Sequence, residues 1–440
     1  MTSPIGDIPK SRLIIIGAVI VVIVVAILIL QVPPKPGGDP NLPAAANLVV
    51  WGLKEDQSAF IDLIKGYQAS SEQVSKYKVE FVPFSSGDEL ERTLVNALAE
   101  NSGPDIFYFH NSWTEKHKAK VQPATSAIIS TASVSRIYPQ TVYGDFVDAT
   151  ESGGVTYALP LHMDALGLMY NRDIVQATGV TFDAATWENL SWTDFIHVAQ
   201  TTKRVQGGMI ERAGTALGTS NNVANVTDIL SALLLQSATP FIDASNRIVF
   251  GGDSKNAFQF YLQFANRLSD NFTWDSSRAN SREMFARSGA ATIIDYHSSL
   301  ADIKQKNQFI DAHIVPIPQL ESDATKKRTF SSYWGLAVSN FSRQKYAAWH
   351  FIKFATTNEA AQTAYLEATG KLPALISLIN KRIAADQDSA FLKSFAYARS
   401  WRQKDPNTTR IVFNALIDNV QANRLTIDQA AKSAQDSLNQ

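Results

Sequence analysis

Residues 158–174 read ALPLHMDALGLMYNRDI, an apolar run with one carboxylate, Asp164, in its middle. A buried carboxylate is costly unless it is paired or hydrogen-bonded. Asp164 therefore faces solvent or meets a partner, and the flanking chain decides which.

Upstream, short strands alternate with helical spacing. LVVW (48–51) reads as a buried strand, after which Phe60, Ile61, Ile64 and Tyr67 recur at helical spacing. KVEFVPF (78–84) alternates as a strand does. A helix over residues 88–100 carries Leu90, Leu94, Ala97 and Leu98 on one face, and DIFYF (105–109) is a third strand. Strand, helix, strand, helix, strand predicts a parallel, doubly wound α/β domain. Ligands of such sheets sit at the carboxyl ends of the strands, which here are WGLKE (51–55), FSS (84–86) and HNSW (110–113). Downstream, Ser191 with Asp194 and Thr426 with Gln429 form capping-box patterns ahead of helices. AATIID (290–295) reads as a strand ending at Tyr296, residues 313–317 as another, and residues 344–355 as a helix rich in aromatics.

The chain has 440 residues, a formal net charge of -1 and no Cys. That length predicts several domains or one large two-lobed unit. Near-zero charge without a basic block argues against nucleic acid as the main partner. The lack of Cys excludes disulfides, thiol chemistry, Cys-ligated zinc and a lipid-bearing Cys anchor. At the N-terminus, LIIIGAVIVVIVVAILIL (13–30) has no polar side chain. Its 18 residues would span ~27 Å as a helix, close to a bilayer core. The run is longer than the apolar region of a secretory signal, so it reads as an uncleaved transmembrane anchor, with a cleaved signal as the alternative. Lys10 and Arg12 precede it, which places residues 1–12 in the cytoplasm and the large domain on the extracytoplasmic side of the cell membrane. QVPPKPGGDPNLPAAAN (31–47) is a Pro/Gly tether between the two.

Motifs for chemistry are sparse. His110 and His117 are seven apart, and neither HExxH nor DxDxDG occurs, so no metal is expected. There is no phosphate-binding glycine loop and no GxSxG elbow, so no cofactor is expected either. Glycoside hydrolysis needs two facing carboxylates. Asp164 and Asp295 could supply them, a reading placed below a binding role. Aromatics are more suggestive. Trp51, Trp113, Tyr296, Tyr333, Trp334 and Trp401 fall at or near strand ends or loops, where rings can stack on the C–H faces of sugars. For Trp51, Trp113 and Trp334, packing and ligand stacking are equally consistent with position.

These segments, taken in order, resemble the extracellular solute-binding proteins of ABC importers, the group that contains maltose-binding protein. The resemblance covers residues 48–440. VVWGLKEDQSAF is similar to the first strand and its contact loop, GPDIFYFHNSW to the third strand and the loop after it, and ALPLHMDALGLMYNRDI to the first interlobe crossing. TWENLSWTDFIHVAQ, FARSGAATIIDYHSSL, YWGLAVSNFSRQKYAAWHFIKFATT, TGKLPA and LTIDQAAKSAQDSLNQ follow in the family's order.

The resemblance implies a type II periplasmic-binding-protein-like fold, with two α/β lobes joined by crossing hinge strands and closing on ligand. It divides the chain into lobe one (48–160), lobe two (161–317), a return to lobe one (318–365) and lobe two again (366–440). It implies a receptor without enzymatic activity, probing the outside for a solute, most simply a carbohydrate, and docking as a monomer on permease subunits driven by a separate ATPase. Implied ligand contacts are Trp51, Lys54, Glu55, Asn111, Ser112, Trp113, Asp164, Tyr296, Tyr333, Trp334 and Trp401. Asp164 would face the cleft, solvated when empty and accepting ligand hydroxyls when closed. At Asn111-Ser112 the sequence departs from the charged pair of the maltose-binding pattern, which puts maltodextrin in question. An anchored carbohydrate-active hydrolase and the binding subunit of a sensor are the alternative readings.

Overall fold

β1 (Asn47–Leu53), β2 (Lys78–Phe84) and β3 (Ile106–His110) run parallel in the spatial order β2-β1-β3. The computed structural model describes residues 39–440 apart from 151–152, 181–183, 238–239, 246, 321–324 and 387. The expected anchor (13–30) lies outside the described residues, and among these no helix is long and apolar enough to cross a membrane. Residues 39–44 form a turn closed by the Leu42 N–H on the Asp39 carbonyl at 3.1 Å. From Ala45 to Gln440 the chain is one compact unit.

Helix Gln57–Ala69 connects β1 to β2 and buries Phe60, Leu63, Ile64 and Tyr67. Ile61, which the sequence pattern placed on that face, is 39% exposed; Leu63 takes its place. Helix Gly87–Ala99 begins where the Ser86 hydroxyl accepts the Glu89 N–H. An aromatic core joins these layers. Phe60 lies 4.8 Å from Phe81 and 5.9 Å from Phe351, and Tyr67 packs edge-on against Phe351.

The chain then adds β4 (Val121–Gln122), a hairpin of β5 (Val147–Asp148) and β6 (Val155–Thr156), and β7 (Leu159–Pro160). Past residue 165 it enters a second sheet. Here β8 (Leu166–Asn171), β9 (Arg204–Gln206), β10 (Met209–Thr215), β11 (Ala290–Tyr296) and β12 (Ala312–Pro316) stand in the order β12-β8-β11-β10-β9. β8 is antiparallel to both neighbours, and all of its residues are buried. The capping boxes at Ser191 and Thr426 are both formed. Gly214 on β10 lets helix Trp192–Thr202 pack closely, because a Cβ there would stand 1.7 Å from the Ala199 carbonyl oxygen.

The chain returns through β13 (Thr329–Phe330) into β14 (Trp334–Ser339), which runs antiparallel beside β3, with β4 and β7 also paired to it. Gln319 still bonds Leu190 in the second lobe, so the return begins beyond residue 318. Helix Glu359–Thr369 packs on Gln57–Ala69 in the first lobe, so the last crossing follows residue 369. β15 (Ala398–Arg399) then pairs in parallel with β13, and helices Pro406–Gln421 and Ile427–Asn439 join the core of the second lobe. The crossing segments are hydrogen-bonded to one another. Leu161 N–H donates to the Trp334 carbonyl (3.0 Å), Met163 N–H to that of Leu372 (3.1 Å), and Ala165 bridges Ser331.

Candidate functional site

Between the lobes lies a cavity of about 620 Å³, walled by both lobes and by the crossings. The first lobe contributes Asp88, His110, Asn111 and Ser112; the second contributes residues of the segment 220–228 and of 400–414; Phe330 and Ser332 come from the crossing. As a parallel sheet requires, the first wall stands at the carboxyl end of β3.

His110 ends that strand. Its Nδ1 lies 2.8 Å from Ser112 Oγ and accepts the Ser112 N–H, and its Nε2 lies 3.0 Å from Ser332 Oγ. Burial pushes its pKa down to about 4, so the ring is neutral at pH 7. A neutral imidazole that accepts at Nδ1 carries its proton on Nε2 and donates to Ser332. His110 thus orients two hydroxyls of the cavity wall. Asn111 is only 4% exposed. Its amide donates to Asp145 (3.0 Å) and the Ser331 carbonyl (3.3 Å), and its oxygen accepts the Tyr333 N–H (3.1 Å).

The second wall centres on Trp401, whose indole N–H donates to Ser231 Oγ at 3.0 Å and whose ring packs edge-on against Phe241. Asp228, in the first turn of helix Val226–Gln236, accepts the Tyr296 hydroxyl at 2.8 Å. Burial raises its pKa to about 6, with Tyr296 opposing and Asp295 adding to the rise. Arg410 lines the cavity from helix Pro406–Gln421. Gln403 and Asn414 also belong to the lining, and Gln403 Oε1 and Asn414 Oδ1 are buried acceptors without a hydrogen-bond partner among the described residues.

Of the residues singled out in the sequence, Asn111, Ser112 and Trp401 line the cavity. The others are placed elsewhere. Trp51 packs on Phe84 with ring centroids 5.0 Å apart. Lys54 and Glu55 are exposed, and Glu55 pairs with Lys371 at 2.8 Å. Trp113 is 5% exposed and packs edge-on to Trp334, which itself contacts the His110 ring at 4.9 Å. Tyr333 is 1% exposed and donates its hydroxyl to Asp145 at 2.6 Å. Tyr296 backs the wall through Asp228.

Asp164 differs most from its expected role. It is 5% exposed and accepts N–H bonds from Ala165 (2.8 Å), His297 (3.2 Å) and Ser298 (2.9 Å). Burial pushes its pKa up, while His297 and these N–H donors pull it down. The carboxylate ties the first crossing to the loop after β11, where three backbone N–H groups bind it.

Sequence reasoning missed Asp88, the segment 220–228 and the helix face with Asn407, Arg410 and Asn414. The run SNNVANVTD (220–228) was a usable signal, being a dense polar stretch directly ahead of an apolar helix. No group of three or more His, Asp or Glu suited to a metal occurs among the described residues.

A model of the bacterial extracellular solute-binding protein family matches residues 51–362. A maltotriose-binding protein of Pyrococcus abyssi is 20% identical over 342 residues, covering 76% of this chain and 68% of that protein. Among solved structures, the sugar-binding protein MalE of Xanthomonas citri superposes with a TM-score of 0.73 at 15% identity, covering 89% of this chain and 96% of its own. A solute-binding protein of Thermotoga lettingae bound with α-D-tagatose gives 0.70 at 17% identity, covering 90% and 99%. An ABC substrate-binding protein of Listeria monocytogenes in complex with cycloalternan gives 0.70 at 18%, covering 90% and 98%.

Proposed function

The chain belongs to the bacterial extracellular solute-binding protein family, and from that premise we propose that it is the receptor of an ABC importer and holds a carbohydrate between its lobes. The observation that carries the carbohydrate reading is the cavity lining. One fixed indole, Trp401, is surrounded by hydroxyls, amides, two carboxylates and a guanidinium drawn from both lobes. A sugar offers C–H faces to the ring and many hydroxyls to the polar groups. The names of the relatives, which include maltotriose, tagatose and cycloalternan, support the same class.

In this reading, Ser112, Asp228, Gln403, Asn407 and Asn414 take hydroxyls, and Trp401 stacks. Closure about the crossings then presents the loaded form to permease subunits powered by a separate ATPase. Residues 13–30 anchor the chain in the membrane, with the body on the extracytoplasmic side. The hydrolase alternative is disfavoured, because Asp164 and Asp295 do not line the cavity and are both committed to protein donors. A thermal-shift screen of the protein against mono- and oligosaccharides, polyols and amino acids tests the proposal. A ligand at ~100 times its Kd adds about 2.7 kcal/mol of stability. A shift with a sugar class and no product on long incubation is the expected result; a shift only with non-sugars, or product formation, overturns it.

A further inference from the structure

The cleft segment 220–228 is held from behind by an ion pair that does not touch the cavity. Asn225 lines the cavity at φ 57°, ψ 34°, in the left-handed region, at the start of helix Val226–Gln236. Asn adopts that conformation more readily than most residues, but it still needs local support. Its side chain caps nothing in its own helix. The amide turns to β11 and donates to Asp295 Oδ1 at 2.6 Å.

Asp295 is 0% exposed. It receives Arg282 through two N–H bonds, Nε to Oδ2 at 2.6 Å and Nη2 to Oδ1 at 2.8 Å, and it also accepts the Tyr296 N–H at 2.8 Å. The next side chain, Tyr296, holds Asp228. Two cleft residues three positions apart are therefore gripped by two consecutive residues of one strand. Arg282 itself lines a different cavity, with Arg287, Asp302 and Lys306.

A buried ion pair is often no better for stability than an apolar pair of similar volume. What the charge supplies is an ionised acceptor, fixed by a two-pronged donor, to which the Asn225 amide is bound. We propose that Arg282 and Asp295 are positioning residues for the ligand site, setting the left-handed turn at Asn225 and through it the presentation of Asn225 and Asp228 to ligand. This rests on the reading of the cleft as the ligand site.

The test is the double variant R282M/D295L of the full chain, compared with R282M and wild type. Two measurements need no ligand: Tm, and hydrogen exchange of the Asp228 and Ile229 amides, which both donate to the Asn225 carbonyl. R282M alone lowers Tm, since it strands a buried carboxylate. The double variant recovers part of that loss, the remainder falling on the Tyr296 N–H and Asn225 amide that also lose Asp295, yet its Asp228 and Ile229 amides exchange at least tenfold faster than in wild type. Maltotriose, the probe sugar, binds the double variant about tenfold more weakly wherever it binds wild type. Recovered Tm together with wild-type exchange overturns the proposal, since the pair would then be merely structural. Should the double variant not fold, Asn225→Gly decides. It keeps the left-handed backbone and removes the amide, and unchanged exchange at Asp228 and Ile229 in that variant overturns the proposal equally. Failure of maltotriose to bind wild type counts against that sugar in the functional reading and leaves the exchange comparison to decide the positioning role.

Discussion

Replacing Asp164 with Ala separates two roles that the sequence could not. If the carboxylate served ligand alone, its loss would weaken binding and leave the fold untouched. The structure instead places it under three backbone N–H groups, of Ala165, His297 and Ser298. Each buried N–H left without an acceptor costs about 1–3 kcal/mol. The Ala165 N–H is the adjacent one and the His297 bond is the longest, at 3.2 Å, so the loss at Ser298 is the largest and those at Ala165 and His297 add to it. Against them stands the removal of a carboxylate whose burial is itself unfavourable. The net expectation is destabilisation of about 2–4 kcal/mol, or a fall in Tm on the order of 5 °C. Asp164→Asn keeps one acceptor oxygen and loses about half as much. The assay is thermal and urea unfolding of both variants beside wild type, with ligand affinity measured well below Tm. Wild-type stability in Asp164→Ala, accompanied by lost affinity, would refute the reasoning and return Asp164 to the ligand.

Three further outcomes are expected. Burial raises the Asp145 pKa from 3.8 to about 6 against the hydrogen bonds of Ser400, Tyr333 and Asn111. A raised carboxyl pKa means that the folded state holds the proton more tightly. The stability linked to it is full below pH ~4 and is lost as pH rises towards 6, by on the order of 3 kcal/mol. Asp145→Asn removes that slope, and the difference between the two unfolding-versus-pH curves measures it. Trp401→Ala opens the second lobe's core at a cost of about 3–5 kcal/mol and abolishes sugar binding in calorimetry. Trp401→Phe keeps the stacking face, loses about 1 kcal/mol with the Ser231 bond, and retains measurable affinity. Deleting residues 13–30 moves the protein from carbonate-washed membranes to the soluble fraction, and a deletion variant that stays with the membranes refutes the anchor proposed there.

The parallel order of β1 to β3 was readable because each strand is an uninterrupted apolar or alternating run separated by helix-period segments. The capping boxes were readable because they are local. The lining of the interlobe cavity was not, and the reason is physical. Trp113 and Tyr333 lie beside strand ends, as ligand-stacking aromatics do, but the Trp113 ring packs among Phe109, His117 and Trp334 and the Tyr333 hydroxyl is bound to Asp145, so both rings are core. The actual walls come from the polar segment 220–228, which has no period, and from a polar face of helix Pro406–Gln421 whose spacing alone reads as a solvent face; their convergence depends on how β11 and that helix meet in the second lobe. The point of return to the first lobe is not legible locally: Thr329 and Phe330 of β13 still pack on the second lobe, and β13 pairs with β15, nearly seventy positions later, a partner too distant to leave a local trace.

The buried carboxylates around the hinge follow one pattern. The first crossing carries Asp164, bound to the second lobe's His297 and Ser298 N–H groups. The second crossing carries Tyr333, bound to Asp145 of the first lobe. The third carries Lys371, bound at 2.6 Å to Asp56 of the first lobe, which is 1% exposed. Each crossing is thus fixed to a lobe by a charged, directional contact where an apolar one would have filled the space. Apolar burial is non-directional and tolerates sliding, whereas a hydrogen bond weakens steeply once its angle degrades. A hinge must bend at its strands without shifting their register against the lobes. Carboxylates that grip specific N–H, O–H and ammonium donors at the strand ends supply that constraint. The charge inside ALPLHMDALGLMYNRDI therefore fastens the first crossing to the second lobe, and Asp164 is not part of the lining of the interlobe cavity.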